Sequence, residues 1–211
     1  CGRFDMALEW SNKEIDLCQS NQHIALGSAY ERKGGIFHYT NKPMEALEFL
    51  FKAESEYLKS GTIESVSNLA NLYSSIGSCY AQMADKRCIN YLQKSIDVSE
   101  GHFGKSGYNL ALRYKNLGMA YMYVCKEYRQ SLLPLEQAAN LYKESDSLTD
   151  VIDVFRLIVE ASHKAGYFRE TIEKLSLLPP DEKNQEMTYA LMQDVQNCAN
   201  CLELIKEFRQ Y

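Results

Sequence analysis

Apolar and small residues recur along this chain with the spacing of an amphipathic helix. In the segment LALRYKNLGMAY (110–121), the positions at i, i+3, i+4 and i+7 are Tyr114, Leu117, Gly118 and Tyr121. Residues at this spacing lie on one face of an α-helix. The segment that follows has a second face of the same kind, so the pattern predicts two amphipathic helices joined by a short turn.

The same pattern returns along the chain with a nearly constant period. LANLYSSIGSCY (69–80) and LALRYKNLGMAY (110–121) match in register at leucine, alanine, tyrosine, glycine and tyrosine. The steps between equivalent marks are 43, 41 and 41 residues, and the marks are Tyr30, Gly34, Tyr73, Gly77, Tyr80, Tyr114, Gly118, Tyr121 and Phe155. A second set, at steps of 39, 42, 43 and 40 residues, consists of Ala7, Ala46, Cys88, Ser131 and Thr171. Self-similarity at such a period predicts a helical repeat protein.

The period divides the chain into one helical repeat domain over residues 1–211. Segments rich in Gly, Ser, Asp and Pro separate the units and predict the turns between them. The units are a half repeat at 1–20, repeats at 22–61, 66–101, 108–146 and 149–179, and a degenerate repeat or capping helix at 184–211. Because the chain starts CGRFDMALEW, without Met and in the second half of a repeat, we expect a fragment of a longer protein.

The chemistry of the marks predicts their place in the packing. Gly inside a helix costs about 1 kcal/mol relative to Ala, so Gly77 and Gly118 are expected where two helices approach closely. The aromatic marks are expected in the core around these contacts, with tyrosine hydroxyls bonded to helix-end carbonyls or to water. They are Tyr30, Tyr73, Tyr114 and Phe155.

Composition supports an all-α protein and weighs against several classes of function. The sequence is 45% hydrophobic, with 4 Pro and 11 Gly, which is too apolar for disorder and too poor in turn residues for a β-sandwich. A net charge of −5 without any basic run argues against nucleic-acid binding. No apolar stretch reaches the roughly 18 residues of a membrane span.

Seven cysteines, an odd number, are spread along the chain, mostly on apolar faces. Free cysteine packs as a small hydrophobe, which favours a reducing compartment, so we expect a cytoplasmic protein. A periplasmic location remains open if the chain is a sensor segment, and Cys1 leaves a lipoprotein start open. The pair Cys198 and Cys201 shares a helical face with apolar residues, so core packing is expected there instead of a metal or redox site.

Two stretches resemble the tetratricopeptide repeat (TPR) most clearly: ALRYKNLGMAYMYVCKEYRQSLLPLEQA (111–138) and DVFRLIVEASHKAGYFRETIEKL (153–175). The period of about 41 residues, against about 34 in the usual repeat, is similar to long-repeat members such as kinesin light chains and bacterial peptide-pheromone receptors. The resemblance implies a right-handed α–α superhelix, a solenoid of antiparallel helix pairs. It also implies that the first helix of each pair lines a concave groove.

The resemblance places the groove positions one helical turn from the core marks. The candidate partner-binding residues are Asn71, Ser74, Ser78, Lys115, Met119, Tyr123, Arg156 and His163. Lys115 and Arg156 predict contact with an acidic peptide, and Met119 and Tyr123 an apolar anchor. A clamp for a terminal carboxylate needs donors from several successive repeats, and only Lys115 and Arg156 are of that kind. A solvated wall without a specific ligand is the remaining alternative.

No catalytic motif is present in the sequence, so we expect neither an enzyme nor a cofactor or metal site. The histidines do not form a spaced set, since His38 and His163 lie three repeats apart. The sequence predicts a scaffold that binds a protein or peptide partner. Two alternatives remain open: a sensory segment of a larger bacterial signalling or transcription regulator, motivated by an apolar stripe over 187–208, and a structural subunit that self-associates.

Overall fold

The structure is a computed structural model that describes residues 2–18 and 22–166. In these ranges the chain forms eight α-helices, and α6 continues into a π-helical turn at Tyr121–Cys125. The α-helices are α1 (Gly2–Leu17), α2 (His23–Tyr39), α3 (Pro43–Ser60), α4 (Ile63–Gln82), α5 (Arg87–Phe103), α6 (Tyr108–Ala120), α7 (Tyr128–Glu144) and α8 (Leu148–Ala165). The predictions for Cys1, Thr171, the Cys198 and Cys201 pair, and residues 184–211 lie outside the described residues.

Each helix packs mainly against its neighbours in sequence. The most extensive contacts join α2 with α3, α4 with α5, α6 with α7 and α7 with α8, and smaller contacts join α3 with α4 and α5 with α6. This chain of local pairings is the contact pattern of a solenoid, in which every unit touches only its neighbours. The predicted all-α superhelix is therefore confirmed, whereas the exact division into repeats stays a prediction.

Local sequence explains how the helices begin and end. Pro43 occupies the first turn of α3, where its missing N–H costs nothing, and Gly61 ends that helix with a left-handed φ of 62°. Thr62 then caps α4, because its side-chain oxygen accepts a hydrogen bond from the Ser65 backbone N–H at 3.2 Å. These three residues make the tight reversal from α3 into α4.

Three repeat glycines lie where two helices meet. Gly34, Gly77 and Gly118 are buried, each facing a leucine of the helix that follows. A Cβ atom added at these glycines would lie 2.8, 2.7 and 2.6 Å from the nearest atoms of Leu50, Leu92 and Leu135, respectively. Such distances are too short for a real Cβ, so the backbones can approach this closely only because no side chain is present.

The sequence predicts that the four aromatic marks are core residues, and the structure buries only one of them. Only Tyr73 is buried, at 9% exposure, whereas Tyr30, Tyr114 and Phe155 are half-buried and pack against the edge of the core. The Tyr114 hydroxyl donates to Glu100 Oε1 at 2.6 Å, so its partner is a carboxylate and not a helix-end carbonyl. An aromatic ring at the core edge can fill the interhelical space and keep its hydroxyl near the surface.

Four of the cysteines are described as free thiols, and two of these are fully buried. Burial raises the pKa of Cys79 to about 12 and that of Cys88 to about 11, because the thiolate would lose its hydration. These thiols pack as small apolar groups and are poor nucleophiles. Across the described helices, none combines the length and apolarity needed to cross a bilayer. The cytoplasmic location stays a prediction.

Candidate functional site

Two of the candidates in α4, Ser78 and Asn71, use their side-chain polar groups within the fold. The Ser78 hydroxyl donates to the Ser74 backbone carbonyl at 3.0 Å, one helical turn back. Asn71 is exposed on its helix, and its Oδ1 accepts a hydrogen bond from Arg113 Nη2 of α6 at 2.7 Å. Asn71 therefore links the second repeat to the third.

The third repeat contributes Lys115 and Met119 from α6 and Tyr123 from the π turn. Lys115 and Met119 are half-buried, and Tyr123 is 42% exposed. Within residues 2–18 and 22–166, Lys115 makes no hydrogen bond or ion pair. Its ammonium is thus available to an anionic group of a partner.

The sequence predicts a regular α-helix through Tyr121, whereas the structure has a π turn after α6. The turn covers Tyr121–Cys125 and is followed by Lys126, whose φ of 61° is left-handed. Within this turn Tyr123 donates its hydroxyl to Glu160 Oε2 of α8 at 2.8 Å. Single π turns widen a helix by one residue and often occur at functional sites. This one links Tyr123, a groove candidate of the third repeat, to α8.

In α8, Arg156 has only a loose partner. Its Nη1 lies 3.9 Å from Asp153 Oδ1, and both side chains are 48% exposed, so this surface pair contributes little. Glu160 is more firmly held: burial acts to raise its pKa, but hydrogen bonds from Lys164 and Tyr123 outweigh burial and lower the pKa below its ordinary value. The backbone of His163 belongs to α8, and its side chain lies outside the described part.

The arrangement differs from a metal or catalytic site in its chemistry. Lys115, Met119, Tyr123 and Arg156, named here the α6–α8 quartet, combine two cations with two large side chains that can pack against a partner. Over the described ranges, the structure holds no cluster of three or more His, Cys, Asp or Glu residues able to bind a metal ion. The quartet can contact an anionic, partly apolar surface.

Sequence reasoning missed Arg113, which is a buried cation at 7% exposure. Its Nη2 donates to Asn71 and its Nη1 to the Asn109 carbonyl at 3.3 Å, while its Nε is buried without a partner in the described residues. Burial lowers the pKa of this guanidinium, because the charged form loses hydration. The sequence feature that could have identified Arg113 is its position within the repeat. The equivalent positions in the other repeats are apolar: Ala29, Leu72 and Val154.

Arg113 lines a cavity of about 280 Å³ between the first half of α4, the end of α5 and the start of α6. Ser67, Ser99, Ser106 and Asn71 line it too. The glycines of the α5–α6 loop, Gly104 and Gly107, have φ of 83° and 101° and complete the wall. This cavity is therefore polar on several sides.

No family model matches the sequence, and no curated protein matches it significantly. Solved structures do match. BtubC (BKLC) from P. vanneervenii superimposes with a TM-score of 0.72 at 16% identity, covering 85% of this chain and 77% of that one. The TPR-like repeats of a putative kinesin light chain from Podosopora anserina give 0.68 at 15% identity, covering 92% and 90%. MamA gives 0.59 at 18% identity, covering 92% and 91%.

These likenesses define the class of protein. At such low identity they show the fold alone, and that fold is the TPR-like solenoid. The resemblance to long-repeat TPR proteins is confirmed at this level, and the fold is a solenoid of helical repeats. Neither the partner nor the binding residues follow from it.

Proposed function

We propose that this chain is a non-catalytic scaffold that binds a protein or peptide along the surface formed by the first helices of its repeats. The observation that carries the proposal is the α6–α8 quartet, in which Lys115 has no partner within the described part of the chain. Scaffolds with this fold commonly bind proteins. Tyr, Met and Arg are also the residue types enriched at the centres of protein interfaces.

The charges around the quartet favour an acidic partner segment. Glu160 is already engaged by Lys164 Nζ at 2.7 Å, and Arg156 is held only loosely by Asp153. An incoming carboxylate could therefore pair with Lys115 without breaking an existing ion pair. A large apolar side chain of the partner would pack on Met119 and on the exposed ring of Tyr123. The expected ligand is a short segment with acidic and aromatic or aliphatic residues.

We expect peptides selected from a displayed random library against the wild-type chain to be rich in Asp or Glu beside an apolar residue. Their Kd should be micromolar, about 8 kcal/mol of binding free energy. The double variant Lys115→Glu/Arg156→Glu should weaken binding at least tenfold, because attraction becomes repulsion. Fluorescence polarisation of the labelled peptide measures this change.

The matched control is Lys42→Glu/Lys143→Glu, which changes the net charge equally at two exposed positions outside the first helices. It should bind the selected peptide as the wild type does. Equal weakening in both double variants would mean that only net charge matters and would contradict the assignment of the quartet. Failure to select any peptide would count against the scaffold proposal itself.

A further inference from the structure

We propose that the cavity lined by Arg113 binds a carboxylate group, carried either by a small organic acid or by the chain end of a peptide. Its ligand would take Arg113 as counter-charge and the serine hydroxyls as neutral donors. This proposal is independent of the α6–α8 quartet, because neither Lys115 nor Arg156 lines the cavity.

The register of the repeats shows that packing does not require a cation at this position. Ala29, Leu72 and Val154 occupy the equivalent positions and are fully buried at 0% exposure. An unpaired charge in such a place is destabilising unless something compensates it. A buried residue that departs from the repeat in this way is a candidate for function.

The described chain offers Arg113 no carboxylate. Its two hydrogen-bond acceptors are an amide oxygen of Asn71 and the Asn109 carbonyl, and its Nε has none. Glu100 accepts a hydrogen bond from the Tyr114 hydroxyl, and Asp150 accepts one from the Ser147 hydroxyl. Neither carboxylate lines the cavity. Nη1 and Nη2 each use one N–H in these bonds, so each has a second N–H left for a ligand, whereas the Nε–H is buried away from solvent.

The start of α6 adds a favourable field at the same place. No side chain caps this helix, whose first residues, Tyr108 to Leu110, line the cavity. The positive end of the helix dipole therefore faces an anion bound there. This field acts together with the buried Arg113 side chain, which is the group that defines the site.

Charge and size select a carboxylate over other anions. One buried guanidinium balances one negative charge, whereas phosphate carries about −1.5 to −2 near neutral pH and would remain partly uncompensated beside Arg113. A carboxylate also matches the planar fork of a guanidinium. The volume of about 280 Å³ lies just below the usual range for ligand pockets, so only a small acid or a terminal residue fits.

The test is a titration with sodium acetate at constant ionic strength, followed by the ¹H–¹⁵N signal of the Arg113 side-chain Nε–H. We expect a saturable shift of this signal for the wild type. In Arg113→Leu, binding followed through neighbouring backbone amides should be at least tenfold weaker. Lys143→Leu, which removes an exposed cation of α7 outside both the cavity and the quartet, should bind acetate as the wild type does. Arg113→Lys keeps the charge and should bind with intermediate affinity, which guards against a folding defect in the leucine variant.

Three further probes separate the sources of the carboxylate and the competing anion. A glycine-rich tripeptide that binds more tightly than acetate, and loses binding as its C-terminal amide, identifies a peptide chain end. Acetate binding without tripeptide binding identifies a small acid. Inorganic phosphate that binds more tightly than acetate would overturn the carboxylate assignment. An absence of saturation up to about 100 mM acetate, or an unchanged affinity in Arg113→Leu, would overturn the site.

Discussion

Gly118→Leu is expected to lower the free energy of unfolding by about 3 kcal/mol or more. Even a Cβ atom at this position would lie 2.6 Å from Leu135 side-chain atoms and 3.4 Å from the Ser131 carbonyl oxygen. The remaining atoms of a leucine would force α6 and α7 apart, and overpacking of this kind costs roughly 1 to 3 kcal/mol, occasionally more. Urea denaturation followed by circular dichroism measures the loss.

The matched control is Gly35→Ala in α2. Gly35 also lies inside a helix, but an added Cβ would meet nothing within 4 Å. Alanine should therefore raise the free energy of unfolding by about 0.5 to 1 kcal/mol through its helix propensity. Lys115→Glu should leave the melting temperature almost unchanged, since its side chain has no partner in the described residues. Equal losses in Gly118→Leu and Lys115→Glu would show that the helix faces are assigned wrongly.

The periodic pattern was sufficient to predict the fold because a solenoid repeats one local packing problem. A glycine such as Gly77 can be recognised in the sequence, since it lies inside a helical pattern that disfavours it. Its partner Leu92 could not be identified in advance, because several apolar residues of α5 have suitable spacing. Periodicity fixes which face is buried, and the crossing of the helices fixes which side chains meet.

The candidate site was less predictable, for a physical reason in each case. The π turn at Tyr121–Cys125 depends on hydrogen bonding over one extra residue and on packing against α7, and no residue pattern marks it. Arg113 could be recognised in the sequence only as a charged residue at a position where the other repeats have an apolar one. Searching the sequence for residues that fit the repeat overlooks the residue that breaks it.

Leu72→Arg should test this reasoning with a large effect, a loss of at least about 4 kcal/mol in the free energy of unfolding. Leu72 is at 0% exposure in α4 and occupies the register position of Arg113 one repeat earlier. A guanidinium there would be buried without a dedicated acceptor, and unpaired buried charges give the largest losses among point substitutions. The expected result is a protein that unfolds at much lower urea concentration or does not fold at all.

Arg113→Leu is the reciprocal substitution, and its stability should be equal to that of the wild type or up to about 2 kcal/mol higher without ligand. Leucine restores the apolar residue type found at the equivalent buried positions, and replacing buried charge by apolar packing is often neutral or stabilising. The two positions are equivalent in the repeat. A difference between the two changes in the free energy of unfolding therefore reflects the groups that surround each guanidinium. A large loss in Arg113→Leu would show that the hydrogen bond to Asn71 is structural, and the fold itself would then account for the buried cation. A gain in stability with loss of acetate binding would instead show a fold that gives up stability at one repeat in order to hold a ligand.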